Sequence, residues 1–208
     1  MSTNKGKRFP AEPLDDAEVR KLIAAVRGSG PLAVRNRALV AVLYGSGLRV
    51  AEALDLHPRD VVAGGRELNV RHGKGDKQRF VALHPEAAPL LGAWLATREA
   101  LGLNGRQPVF CSVADGDTRK RGQAIDASYV RRLLPQLAKR AGIEKRVHAH
   151  GLRHTHATAL VRSGAKLDVI SGQLGHGSTA TTDIYLARIA PEARIDELQR
   201  LWAQREPL

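Results

Sequence analysis

The chain has 208 residues, 43% of them hydrophobic, which is enough for one well-buried domain and excludes global disorder. No apolar run approaches the ~18–20 residues that cross a bilayer, and the basic start from Met1 to Arg8 lacks the apolar stretch of a signal peptide. Lysine and arginine number 33 against 21 acidic residues, a formal charge of +12 that is the footprint of a polyanion binder, and the lone Cys111 has no internal disulfide partner, which suits a reducing cytoplasm.

Residues 1–13 are polar, carry Pro10 and Pro13, and read as a flexible lead-in. Leu14-Asp15-Asp16-Ala17-Glu18 starts a helix with an acidic first turn, continued by Val19, Leu22, Ile23 and Val26 at helical spacing, and Gly28-Ser29-Gly30-Pro31 ends it. A second helix over 33–44 is apolar on most sides and is therefore central and buried. Gly45-Ser46-Gly47 breaks it, and a third runs from about residue 49 to Leu56. The period then changes to two. Val61-Val62, residues 67–71 and residues 79–83 form a small antiparallel sheet, whose last two strands turn at Gly73-Lys74-Gly75-Asp76-Lys77. Helical patterning resumes at Pro85 and runs to about 101. A Gly-rich loop over 102–124 surrounds the short segment Val109-Phe110, and a helix spans 126–141 with Asp126 as its N-cap. Short helices at 150–163, 166–173 and 178–187 follow. Pro191 opens the last, in which Ile195, Leu198, Leu201 and Trp202 share a stripe. The fold class is mainly α with a small antiparallel β-sheet (α+β), and residues 14–208 read as one domain.

The chemistry lies in a few residues. On a helix, His150 and Arg153 are three apart and share a face. Arginine suits a phosphate because its planar fork donates several hydrogen bonds and stays charged. Arg49, at a helix start after Gly47, is placed to be a second clamp, and two arginines with a histidine donor stabilise a phosphoryl transition state. Tyr185 can attack phosphorus, histidine can move its proton near neutral pH, and Lys74 at the hairpin tip is the candidate acid for the departing oxygen. Together these parts can hold a phosphodiester and attack it without a metal.

The motifs, in order, are Gly45-Ser46-Gly47-Leu48-Arg49, Gly73-Lys74-Gly75-Asp76-Lys77, His150-Gly151-Leu152-Arg153-His154, Leu174-Gly175-His176 and Ile184-Tyr185. Over roughly residues 10–203 the chain resembles the tyrosine recombinases, also called the phage integrase family. The resemblance implies an integrase catalytic-domain-like fold and a site-specific recombinase. Tyr185 would be the nucleophile, leaving a 3′-phosphotyrosyl bond and a free 5′-hydroxyl. Arg49, Arg153 and His176 would bind the scissile phosphate, with His150 as general base and Lys74 as general acid. It implies double-stranded DNA as partner, a tetramer on DNA through a Holliday junction, accessory DNA-binding proteins, and a C-terminal helix, 191–203, exchanged between protomers. It places the protein in the cytoplasm, on nucleoid DNA, with no membrane partner. The family often has Asp where this chain has Gly151, which touches no proposed catalytic group. Family members usually carry an N-terminal core-binding domain, and that domain is expected to be absent here.

Other readings stand beside these. Histidines 148, 150, 154 and 156 suggest a metal site, but Arg153 among them would repel a cation, and His154 reads as structural. Lys77 competes with Lys74, and the C-terminal stripe could pack on its own domain. A type IB topoisomerase-like enzyme shares the chemistry, and a DNA-binding accessory module inactive alone is the alternative from another class.

Overall fold

The computed structural model describes residues 12–71, 78–113 and 120–175. Asp15 caps the first helix, α1 (Asp16–Ala24). Its Oδ1 accepts the Glu18 N–H at 2.7 Å, and the Glu18 carboxylate accepts the Asp15 N–H at 2.9 Å. Val19 and Leu22 bury the inner face, as their spacing requires. Helix α2 (Pro31–Ser46) begins with proline in its first turn, where a missing N–H costs nothing. Leu39, Val40, Val42 and Leu43 are all fully buried, so α2 is the central element that its composition indicates.

Helix α2 continues through Gly45 and Ser46, beyond the expected break. Gly45 serves there for closeness: a Cβ would meet both Ala87 and His84 side chains at 3.0 Å. The break itself falls at Gly47, which adopts the left-handed conformation (φ 64°) that ends a helix. Helix α3 (Val50–Asp55) follows at once, with Arg49 as its N-cap residue.

Three strands, β1 (Val61–Val62), β2 (Glu67–Val70) and β3 (Arg79–Ala82), form an antiparallel sheet in the order β1-β2-β3. Leu68 lies opposite Val81, and both face the core together with Val70. The expected alternation is therefore present, and Val70 opposite Arg79 sets the base of the hairpin. The hairpin residues 73–77, with Lys74, lie outside the described residues, as do the expected helices at 178–187 and 191–203.

Helix α4 (Ala87–Ala100) packs along α2, and its Trp94 is fully buried. The Trp94 indole donates to the Val109 carbonyl at 2.8 Å, while the buried Arg98 guanidinium donates to the carbonyls of Asn104, Gln107 and Pro108. Between them these two side chains shape the loop after α4, in which Cys111 makes an isolated bridge to Ala124. Helix α5 (Ala127–Ala141) is capped by Asp126, which accepts from the Ser128 and Tyr129 N–H groups, and ends at left-handed Gly142. Helix α6 (Ala149–Arg162) crosses α2, and α7 (Leu167–Leu174) packs on α6 and against β3. Among the described residues no helix is long and apolar enough to cross a membrane.

Trp94→Ala removes a large buried ring and a hydrogen bond together. It is expected to cost about 3–5 kcal/mol in urea unfolding; a change under about 1 kcal/mol would show that the Trp94–Val109 contact is dispensable.

Candidate active site

The turn Gly47-Leu48-Arg49 is where three helices meet. Arg153, on α6, is buried, with 3% of its surface exposed. One terminal nitrogen donates to the Gly47 carbonyl at 2.8 Å and the other to the Leu174 carbonyl at 2.6 Å. These carbonyls stand at the C-terminal ends of α2 and α7, where backbone acceptors lack helical partners and the helix dipole favours a cation. Arg153 thus joins two helix ends to the helix that carries it.

Arg49 is half-exposed, and its guanidinium donates to Glu52 at 2.7 Å. Glu52 also accepts the Arg49 backbone N–H at 2.9 Å, so the carboxylate holds both ends of the residue. The same carboxylate takes a fork from Arg79 on β3, at 3.1 and 2.9 Å. Burial pushes the Glu52 pKa up, but the hydrogen bonds from Arg79 and Arg49 outweigh it and hold the group below the usual carboxylate range. Glu52 is ionised and saturated with donors.

His150 opens toward solvent in the first turn of α6. Its pKa is lowered by partial burial, and then by the positive charges of Arg153 and Arg49. It is therefore neutral at pH 7 and able to accept a proton. The structure brings Arg49, His150 and Arg153 together, as their spacing leads one to expect. Lys74, His176 and Tyr185 lie outside the described residues.

The remaining histidines of the cluster have separate tasks. His148 is the N-cap of α6, and its Nδ1 accepts the Gly151 N–H at 2.8 Å. His154 is buried on the inner face, and burial lowers its pKa. His156 lies beneath Gly47, where a Cβ would approach its ring at 2.6 Å, and meets Tyr44 edge to face. Among the described residues no group of three or more His, Cys, Asp or Glu side chains is arranged to hold a metal ion.

Three participants escape a reading of the motifs alone. Glu52 stands three residues after a helix start, the capping-box position, and that spacing was a visible signal. Arg79 shares a strand face with buried Val81, and a cation on the core side of a strand calls for a buried carboxylate. Gln173 leaves no such trace. Its amide donates to the carbonyls of Ser46 (3.0 Å) and Ala82 (2.7 Å) and accepts the Ala82 N–H (3.0 Å), tying α7 to β3 and to the end of α2.

Known proteins resemble the chain in sequence and in fold. The profile of the phage integrase family matches residues 12–190. The chain belongs to the phage integrase family. It is 35% identical to the tyrosine recombinase XerC of Vibrio campbellii over 185 residues, which are 89% of this chain and 56% of that protein. It is 34% identical to XerD of Mycobacterium leprae over 206 residues, 97% of this chain and 63% of that one. The chain thus spans between half and two thirds of the length of these curated relatives. The crystal structure of XerA recombinase superposes with a TM-score of 0.77 at 33% identity, covering 99% of this chain and 68% of the other. XerH, solved in a post-cleavage complex with palindromic difH substrate, gives 0.72 at 28% identity, over 98% of this chain and 56% of the other. This integrase-family chain has the mainly helical fold with a small antiparallel sheet that its motifs indicate.

Burial takes the His156 pKa down to about 4, helped by the charges of His84 and Arg153 and opposed by a backbone hydrogen bond at Tyr44. The unfolded residue keeps the ordinary value of about 6.5, so between these two values the unfolded chain binds a proton that the folded one refuses. Stability is therefore full above about pH 6.5 and falls as pH drops toward 4, by on the order of 3 kcal/mol. His156→Gln is expected to remove the largest single part of that slope in unfolding experiments across this range. An unchanged slope would assign the acid sensitivity to other groups.

Proposed function

We propose that the protein is a site-specific DNA recombinase that cuts and rejoins strands through a covalent bond to Tyr185. The observation that carries this reading is the convergence of Arg49, Arg153 and neutral His150 at the Gly47 turn. Two cations beside an unprotonated imidazole suit a phosphodiester that must gain charge while a nucleophile loses a proton.

In the proposed step the Tyr185 oxygen attacks phosphorus and its proton passes to His150. The bond to the 5′-oxygen breaks, and Lys74 gives that oxygen a proton. Arg49, Arg153 and His176 hold the non-bridging oxygens. The products are a 3′-phosphotyrosyl bond and a free 5′-hydroxyl. A 5′-hydroxyl from another strand reverses the sequence, so the bond energy is kept and no cofactor is consumed. Buried Arg153 has its direction set by two carbonyls, and Arg49 by Glu52, so neither needs to reorganise as charge develops.

Double-stranded DNA is the proposed substrate, and the formal charge of +12 supports it, together with basic pairs such as Arg131-Arg132 on α5. Phosphate contacts of that kind make binding fall steeply with salt and position the duplex without reading its sequence. Assembly of four copies on DNA, with 191–203 docking on a neighbour and accessory DNA-binding proteins assisting, rests on the apolar stripe Ile195, Leu198, Leu201 and Trp202. Work on nucleoid DNA in a reducing cytoplasm is consistent with Cys111, which is a free, buried thiol.

Covalent capture tests the chemistry. The protein is incubated with fragmented genomic DNA of its host and denatured in detergent, and the protein-linked DNA is sequenced. Adducts clustered at one sequence are expected from the wild type, with none from Tyr185→Phe, which should still bind DNA. Adducts that persist in Tyr185→Phe would sink the assignment of the nucleophile. Supercoil relaxation without exchange between two sites would indicate a topoisomerase-like outcome, and binding without adducts an accessory module. Arg153→Ala is expected to lower cleavage by ~10²–10³, as for loss of a transition-state donor. Unchanged cleavage would refute its clamp role.

A further inference from the structure

We infer that Arg79 is a positioning residue that sets the direction of Arg49 through the shared carboxylate of Glu52; this rests on the strand-cleavage reading above.

Arg79 occupies the core side of β3, and only 14% of its side chain is exposed. Both terminal nitrogens are committed to Glu52, at 3.1 and 2.9 Å, one to each oxygen. Its guanidinium is also covered by the turn at Gly175, where a Cβ would stand 2.6 Å from Cζ and Nε. Gly175 is left-handed (φ 62°), and the absence of a side chain there leaves room for the guanidinium to approach the backbone. Arg79 is therefore held on two sides, with its fork turned to Glu52.

Arg49 is in the opposite situation. Its side chain is 37% exposed and hangs from a helix start, with Glu52 as its described ion-pair partner. A carboxylate three residues away can turn about its own bonds, and its two contacts with Arg49 itself, one to the backbone N–H and one to the guanidinium, do not stop it. The fork from Arg79 does, because it occupies one site on each oxygen and so fixes the plane of the group. The remaining site on Oε1 then points Arg49, and the one on Oε2 holds the Arg49 N–H. Charge follows the same arrangement. Two cations on one carboxylate leave a net single positive charge, carried outward by the exposed partner, Arg49.

The test uses the DNA site recovered by covalent capture, synthesised with the ordinary scissile phosphate or with a methylphosphonate in its place. The methyl group removes the charge that Arg49 would grip. Arg79→Ala is expected to slow single-turnover cleavage ~10–10²-fold on the phosphodiester, as misplacement of a clamp does, but by less than about threefold on the methylphosphonate. In a Glu52→Gln background the same replacement should add less than about threefold, because the path it acts through is already cut. Equal defects on both substrates would reduce Arg79 to a fold-maintaining role. Additive defects with Glu52→Gln would mean that Arg79 acts on DNA itself. Either result overturns the proposal. Arg79→Lys keeps the charge but not the fork, and should show the same pattern in a milder form. If Arg79→Ala unfolds, Arg79→Lys decides. A second readout needs no cleavage: in nitrogen-15 spectra of the DNA-free protein, the resolved Arg49 guanidinium signals should collapse to an averaged one in Arg79→Lys. Unchanged signals would refute the proposal even if the wild type formed no adducts and the cleavage reading had itself failed.

Discussion

A buried guanidinium bridging two helix ends is the constraint on which the rest of this site depends. Arg153 satisfies the Gly47 and Leu174 carbonyls at once, so the end of α2, the end of α7 and the start of α3 have one permitted arrangement around α6. Its cost in desolvation is offset by acceptors that would otherwise be short of partners. Those two acceptors are neutral backbone atoms and cancel none of its charge.

The surrounding side chains divide the electrostatic work. Burial and neighbouring cations keep the α6 histidines neutral, so the positive field comes from arginines and the proton-accepting capacity from imidazole. Glu52 limits the accumulated charge, and its lowered pKa keeps it doing so under mildly acidic conditions. His156 plays a different part. It fills the space under Gly47, and its Nε2 has no hydrogen-bond partner among the described residues, a small strain tolerated directly beneath the turn that presents Arg49.

Much of this was legible in the chain itself, for identifiable reasons. Strong periodicity indicates α1 and the sheet, Asp126 announces α5, and the motifs single out Arg49, His150 and Arg153. The end of α2 was misplaced because glycine has two uses. At Gly45 it admits a neighbouring helix and at Gly47 it turns the chain, and a string of letters does not separate these. Glu52 and Arg79 were missed for a related reason. They lie 27 residues apart in the chain, on a helix and a strand, and their ion pair exists only once the sheet folds back on α3. Gln173 was further still from view. An amide whose partners are all backbone atoms 91 or 127 residues away leaves no local pattern.

That glutamine also bears on how the protein behaves in a crowded solution. Among the described residues β3 is an outer strand of the sheet, and its solvent face carries Phe80, 58% exposed. An outer strand with free amide and carbonyl groups beside an exposed aromatic ring is a template for pairing with a strand of another molecule. Gln173 occupies both backbone groups of Ala82, imitating with one side chain the hydrogen bonds that an intruding strand would make. The contact that ties α7 to the sheet therefore also closes the Ala82 position of that edge to an intruding strand.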